Sequence, residues 1–260
     1  MLKVLHRAMI VAIYLFLLAP IIVVFFISFN SSNRLALAFE PPSLQWYANL
    51  LSNQGFIEGA RVSFITASIT AIVVLLIGVP VSLAVARYRF KFKGAVEALF
   101  ISPLVVPSVV LGLGLLLVFQ PIGLTGTFAG IVIAHTGITI PYIIRTTLMS
   151  LTTADVSCEE AAKVLGANSW TTFRRITLPI IFPGLIAGAV MAFIISFDEA
   201  VISLFIAGSG RVTLPVEMFR YLQYRSDPEI AALSVVLILI SVIIVLVVER
   251  AMGLRKVMNG

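Results

Sequence analysis

Long apolar runs separated by short polar segments dominate this chain. Six runs are long enough to cross the hydrocarbon core of a bilayer, which takes about 20 helical residues. They cover residues 9–29, 62–86, 96–119, 127–148, 180–207 and 230–248. Pro103 and Pro107 interrupt the third run and Pro183 breaks the fifth, so neighbouring groups have to satisfy the freed carbonyls. The pattern predicts an all-α polytopic membrane protein, with six transmembrane helices in one domain, 1–260.

The composition agrees with a membrane protein. The chain is 60% hydrophobic and 12% charged, whereas soluble domains are about 45–50% apolar and 25% charged. Its net charge of +6 is spread over loops rather than gathered in a stripe, which argues against nucleic-acid binding. The single cysteine, Cys158, excludes an internal disulfide and a cysteine-based metal cage.

The lysines and arginines predict the orientation of the chain. With six spans, 13 of the 18 fall on the side that holds both termini and the segment between spans four and five. The other side receives Arg34, Arg61, Arg211, Arg220 and Arg225. Because basic residues favour the cytoplasmic side, we expect both termini and this segment in the cytoplasm.

The polar segment 155–179 between spans four and five predicts a helix. Ser157 and Glu160 have the spacing of a capping box. Asp155, Glu159 and Glu160 place negative charge at the N-terminus of this helix, where its dipole favours it.

A glycine turn and a second short helix are predicted next. Gly166 suits the left-handed position that ends a helix. Asn168 or Ser169 can cap the following helix, and Pro179 either closes that helix or opens the next span.

The same segment resembles the EAA signature of permeases of ATP-binding-cassette (ABC) importers, which reads EAA, x3, G, x9, I, x, LP. The chain matches it without a gap at Glu160, Ala161, Ala162, Gly166, Ile176, Leu178 and Pro179. The resemblance implies that these residues form a cytoplasmic coupling helix, seated in a cleft of an ATPase subunit whose movements it transmits.

The resemblance also implies a complex in the lipid bilayer of a bacterial cytoplasmic (inner) membrane. It would contain a second, homologous permease, two copies of a cytoplasmic ATP-binding subunit and an extracytoplasmic solute-binding protein. ATP and Mg²⁺ would bind the ATPase, and no cofactor would bind this chain, which has no Walker sequence and is not expected to be an enzyme. More dispersed motifs are similar to the spermidine/putrescine (polyamine) branch, namely SFNSS at 28–32, RYRF at 87–90, SFDE at 196–199 and DPE at 227–229. Related amine or amino-acid-like solutes remain open as substrates.

An acidic pair lies far along the fifth span. Asp198 and Glu199, preceded by Phe197, would line a path for a cationic substrate near the outer mouth, since carboxylates at this depth face a cavity or a partner. Alternatively Asp198 pairs with an arginine such as Arg220, or is solvated at the helix end. His135 has no second ligand at metal spacing, so we expect a packed or hydrogen-bonded histidine.

A second hypothesis is a self-sufficient secondary transporter or channel that uses Asp198 and Glu199 as a cation site. The chain has only six predicted spans and no visible inverted repeat, and this hypothesis leaves the segment 155–179 without a role. An intramembrane hydrolase is disfavoured because no nucleophile and base pair stands out, so no catalytic residue is assigned.

Overall fold

In a computed structural model, residues 2–34, 41–208 and 210–252 are described. Apart from an isolated bridge between Asn30 and Pro42, the regular structure of these residues is helical, which confirms the all-α prediction. The helices are α1 (Leu2–Ser28), α2 (Gln45–Leu50), α3 (Gln54–Arg87), α4 (Lys93–Ile101), α5 (Ser108–Phe119), α6 (Phe128–Thr153), α7 (Ser157–Val164), α8 (Ser169–Thr172), α9 (Leu178–Asp198), α10 (Val201–Ile206), α11 (Leu214–Tyr224) and α12 (Glu229–Met252). Arg255 and Lys256, counted above among the inside cations, lie outside the described residues.

Five of the described helical stretches are long and apolar enough to cross a membrane. They are Leu5–Ser28, Gln54–Arg87, Phe128–Thr153, Ser169–Asp198 and Glu229–Val247. The predicted third span is a bent pair, Lys93–Leu104 and Ser108–Phe119, whose axes differ by 105°. The pair brings the total to six if it crosses the membrane as one broken span. Pro107 lies at the bend with an extended backbone (ψ 135°) and has no amide hydrogen to continue a helix.

The predicted fifth span is interrupted at a different residue from the one expected. Pro183 lies inside a continuous helix and does not break it. The break is at Glu199, whose backbone is extended (φ −71°, ψ 104°) and which separates α9 from the short helix α10. The polar stretch 208–229, between the fifth and sixth apolar runs, contains α11. This helix is too short to show as an apolar run.

The chain divides into two compact units, residues 1–57 with 217–260, and residues 58–216. In the first, α12 packs against α1 and α2. Asn53 Nδ2 donates to Glu229 Oε1 at 2.7 Å, and the Tyr221 hydroxyl lies 2.9 Å from Glu229 Oε2 and 2.8 Å from Asp227 Oδ1. Burial and these carboxylates raise the pKa of Tyr221 because they disfavour the phenolate. The single permease domain 1–260 stays a prediction.

The second unit has its core between α3, α6 and α9. Buried side chains at its centre include Ile143, Leu151 and Ile181. Gly188 allows α9 to approach α6 closely, since a Cβ there would lie 3.0 Å from the Cα of Ile143. This core holds α6 and α9 side by side, so the segment between them starts and ends at the same edge of the unit.

Candidate functional site

The segment 155–179, which joins α6 to α9, begins with a turn that an aspartate side chain stabilises. Asp155 Oδ1 accepts a hydrogen bond from the Ser157 amide at 2.9 Å, and this bond lowers the pKa of the Asp155 carboxyl. The predicted capping box is wrong. Ser157 is the first residue of α7, and the Glu160 amide donates to the carbonyl of Val156 at 3.1 Å instead.

The turn after α7 confirms that Gly166 has the left-handed conformation predicted for the end of a helix. Its φ is +86°, a conformation that costs residues with a Cβ. Its amide donates to the carbonyl of Lys163, and the Ala167 amide to that of Ala162, both at 3.0 Å. These two bonds form a Schellman motif. Asn168, one of the two predicted caps, accepts from the Thr171 amide at 2.8 Å and starts α8.

An apolar patch covers the outside of this turn. We call it the α7 patch; it consists of Val164, Leu165 and Trp170, which are 87%, 88% and 67% exposed. Glu160 and Ala161 are exposed as well, whereas Ala162 is buried. Surfaces of this kind mark sites where a partner packs.

The rest of the signature lies closer to the core. Ile176 and Leu178 are half-buried, and Leu178 packs against the core of this unit. Pro179 is exposed near the start of α9. A π-helical turn, Phe173–Thr177, connects α8 to α9. Such turns occur frequently at functional sites.

A network around Glu159 was missed by sequence reasoning. The Glu159 carboxylate is buried and accepts from Arg87 Nη2 at 2.9 Å, from Arg87 Nε at 3.1 Å and from Thr177 Oγ1 at 3.0 Å. Arg87 Nη1 also donates to the Leu151 carbonyl at 3.3 Å. Arg87 and Glu159 are 72 residues apart, so no local pattern joins them. The available signal was an arginine at the very end of an apolar run.

The opposite end of α9 carries the predicted substrate residues. Asp198, the last residue of α9, is exposed, and within its own unit it makes no hydrogen bond or ion pair to the residues that the structure describes. Glu199 is half-buried, and its Oε1 accepts from the Ile202 amide at 2.9 Å. One of the two predicted carboxylates therefore caps α10. The pairing of Asp198 with Arg220 stays open.

A row of aromatic rings includes Phe197, the residue before Asp198 in the chain. Phe193 stacks on Phe197 with ring centroids 6.0 Å apart, and Phe64 of α3 meets Phe193 edge to face at 5.6 Å. Aromatic faces attract cations, so the row and the carboxylate together suit an amine. Sequence reasoning included Phe197 but missed Phe64 and Phe193, although Phe193 lies one helical turn before Phe197.

His135 joins the two sides of the break in the fifth span. Its Nδ1 lies 2.8 Å from Ser196 Oγ on α9, and its Nε2 lies 2.9 Å from Ser203 Oγ on α10. All three side chains are buried. This confirms the prediction of a packed, hydrogen-bonded histidine.

The sequence matches a known family over most of its length. The family described as "Binding-protein-dependent transport system inner membrane component" matches residues 77–254, which include the segment 155–179 and Asp198. The chain is 32% identical over 244 residues to the spermidine/putrescine transport system permease protein PotC of Escherichia coli (strain K12), covering 94% of this chain and 92% of that protein. It is 33% identical over 232 residues to the putrescine transport system permease protein PotI of the same strain, covering 86% and 82%.

The fold is similar to that of solved transporter structures. A bacterial ABC transporter involved in the import of the acidic polysaccharide alginate superposes with a TM-score of 0.73 at 18% identity, covering 96% of this chain and 95% of that one. The inward-facing methionine transporter MetNI gives a TM-score of 0.61 at 18% identity, covering 76% and 93%. At these identities the likeness concerns the fold.

Proposed function

We propose that this chain, which belongs to the family of binding-protein-dependent transport system inner membrane components, is the permease subunit of an ATP-driven importer of polyamines. One observation carries the substrate class: 32% identity over 94% of the chain to a spermidine/putrescine permease. The exposed carboxylate of Asp198 and the aromatic rings of Phe197, Phe193 and Phe64 each support a cationic substrate.

The segment 155–179 is proposed to couple the permease to its ATPase. Its apolar α7 patch supports docking to a protein, and its short helix with Glu160 and Ala161 exposed supports insertion into a cleft. The excess of basic residues on this side supports a cytoplasmic position. ATP and Mg²⁺ would then bind two copies of a separate subunit, and this chain would hold no cofactor.

The proposed complex also contains a second permease and a solute-binding protein. α9 connects the two candidate sites, because it runs from Leu178 to Asp198 and is about 30 Å long at about 1.5 Å per residue. Closure of the ATPase would shift the segment 155–179, and α9 would carry the shift to the substrate end. The pathway would then open outward, and hydrolysis would reset it.

The decisive experiment is ATP hydrolysis by the reconstituted complex, with this chain and the products of neighbouring genes, in the presence of the binding protein and a panel of solutes. We expect stimulation by spermidine or putrescine. Stimulation by neutral or anionic solutes alone would retain the permease and remove the polyamine assignment. Ion-driven uptake by the purified chain, without any ATPase, would favour the self-sufficient transporter.

A further inference from the structure

The buried carboxylate of Glu159 ties α7 to the ends of three helices that are long enough to span a membrane. Its two oxygens accept hydrogen bonds from Nε and Nη2 of Arg87, which is the last residue of α3. Its Oε1 also accepts from Thr177, immediately before α9. Through Arg87 Nη1 the network reaches the carbonyl of Leu151 in the last turns of α6.

The geometry gives each group a defined partner. The carbonyls in the last turn of a helix have no partner within that helix, and Arg87 satisfies the one at Leu151. The planar guanidinium binds both oxygens of Glu159 and fixes its direction. Because a buried charge needs its partner, α7 cannot move away from α3 without separating this pair.

Glu159 is not one of the signature positions, and neither are Arg87 and Thr177. The exposed signature residues Glu160 and Ala161 point away from the core. The surface that meets a partner and the groups that hold the spans therefore lie on opposite faces of one short helix. The outer face can receive a displacement and the inner face can pass it on.

We propose that Arg87, Glu159 and Thr177 are positioning residues that transmit a displacement of α7 to α3, α6 and α9 together. This inference rests on the proposed coupling of the segment 155–179 to an ATPase. It assigns the transmission to a charged network outside the signature. Among the described residues, the side-chain hydrogen bonds that join α7 to the spans all involve Glu159.

Three variants test the network in the reconstituted complex. Thr177→Val preserves shape and removes one hydrogen bond. Arg87→Lys retains the charge but loses the planar contact with both oxygens. Glu159→Gln retains the shape and removes the charge. We expect each to lower uptake per ATP hydrolysed by about three- to thirtyfold, while the ATPase stays bound and hydrolyses ATP without substrate at the wild-type rate.

The charge-reversed pair Arg87→Glu with Glu159→Arg should recover at least part of the lost uptake, which a purely local packing role would not. Arg89→Gln is the matched control, because it removes an exposed cation two residues further on and should behave as wild type. Wild-type uptake per ATP in Thr177→Val and Arg87→Lys would overturn the inference. Equal losses of ATPase binding and of uptake would do so too, because they would assign the network to docking.

The wild-type complex separates the two proposals. If the wild-type chain shows ATP-dependent uptake and the variants match its uptake per ATP hydrolysed, the network inference fails and the proposed function stands. If the wild-type chain binds no ATPase and shows no ATP-dependent uptake, the proposed function fails, and the inference that rests on it fails with it.

Discussion

The imidazole Nε2 of His135 and the hydroxyl of Ser203 lie 2.9 Å apart and join α6 to the short helix that follows the break in the fifth span. Nδ1 of the same ring lies 2.8 Å from Ser196, before the break. In a neutral imidazole one nitrogen donates and the other accepts, so in either tautomer one serine donates to the ring and the other accepts from it. The ring therefore fixes the angle at which α10 leaves α9.

Replacing this histidine should loosen the break. His135→Ala leaves a cavity and two buried serine hydroxyls without their partner, which we expect to cost about 2–4 kcal/mol of stability. Thermal unfolding of the purified chain in detergent measures the loss. His6→Ala, which changes the other, exposed histidine, should leave the transition unchanged. An unshifted transition in His135→Ala would contradict the clamp.

Gly166→Pro should abolish transport while leaving membrane insertion intact. Proline cannot adopt the φ of +86° at this turn, and it removes the amide that bonds to Lys163. The variant is measured by ATP-dependent uptake alongside the amount of chain in the membrane. Gly94→Ala, in open space on α4, serves as the control. Normal uptake by Gly166→Pro would remove the coupling role of the turn.

Asp198→Asn should weaken transport of a polycation. The substitution keeps the size of the side chain and removes a charge that has no partner within its own unit. We expect uptake of the polyamine to fall roughly ten- to hundredfold, because the loss of one charge-assisted contact weakens binding by about that factor. Glu199→Gln keeps an oxygen that can accept from the Ile202 amide and should lower uptake less. The reverse order would transfer the substrate contact to Glu199.

Gly188→Ala should destabilise the packing of α6 against α9. The added Cβ would lie 3.0 Å from the Cα of Ile143 and 2.6 Å from its Cδ1, so a backbone has to shift. Overpacking of this kind costs about 1–3 kcal/mol. Gly137→Ala, on α6 with no neighbouring atom within 4 Å, is the paired control. Equal unfolding temperatures for the two variants would argue against the close approach.

Contacts between residues that are close in the sequence could be predicted. Gly166 and Asn168 lie within a few residues of their partners, and the left-handed turn and the cap follow from short-range geometry. The prediction of a capping box at Ser157 was wrong for an equally local reason. Helix α7 begins at Ser157 itself, so Val156 is its N-cap and Asp155 bonds the Ser157 amide from one residue further back.

Contacts between residues far apart in the sequence were harder to predict. Arg87 and Glu159 each suggested only a surface charge, because their pairing depends on how α3, α6 and α9 pack. Prolines marked the interrupted third span, but the 105° between its halves depends on packing that no single segment encodes. In the fifth span the proline was misleading, since the helix continues through Pro183 and ends at Asp198.

The α7 patch affects the amount of this protein that a cell can maintain. Val164 and Leu165 are almost fully exposed outside the helical stretches long enough to span a membrane, and Trp170 is exposed at the start of one of those stretches. If an ATPase covers them, every copy synthesised beyond the supply of that subunit exposes apolar side chains to water, where chaperones and proteases recognise them. The abundance of the chain would then follow the abundance of its partner, and stoichiometry would be set by degradation of the unpaired copies.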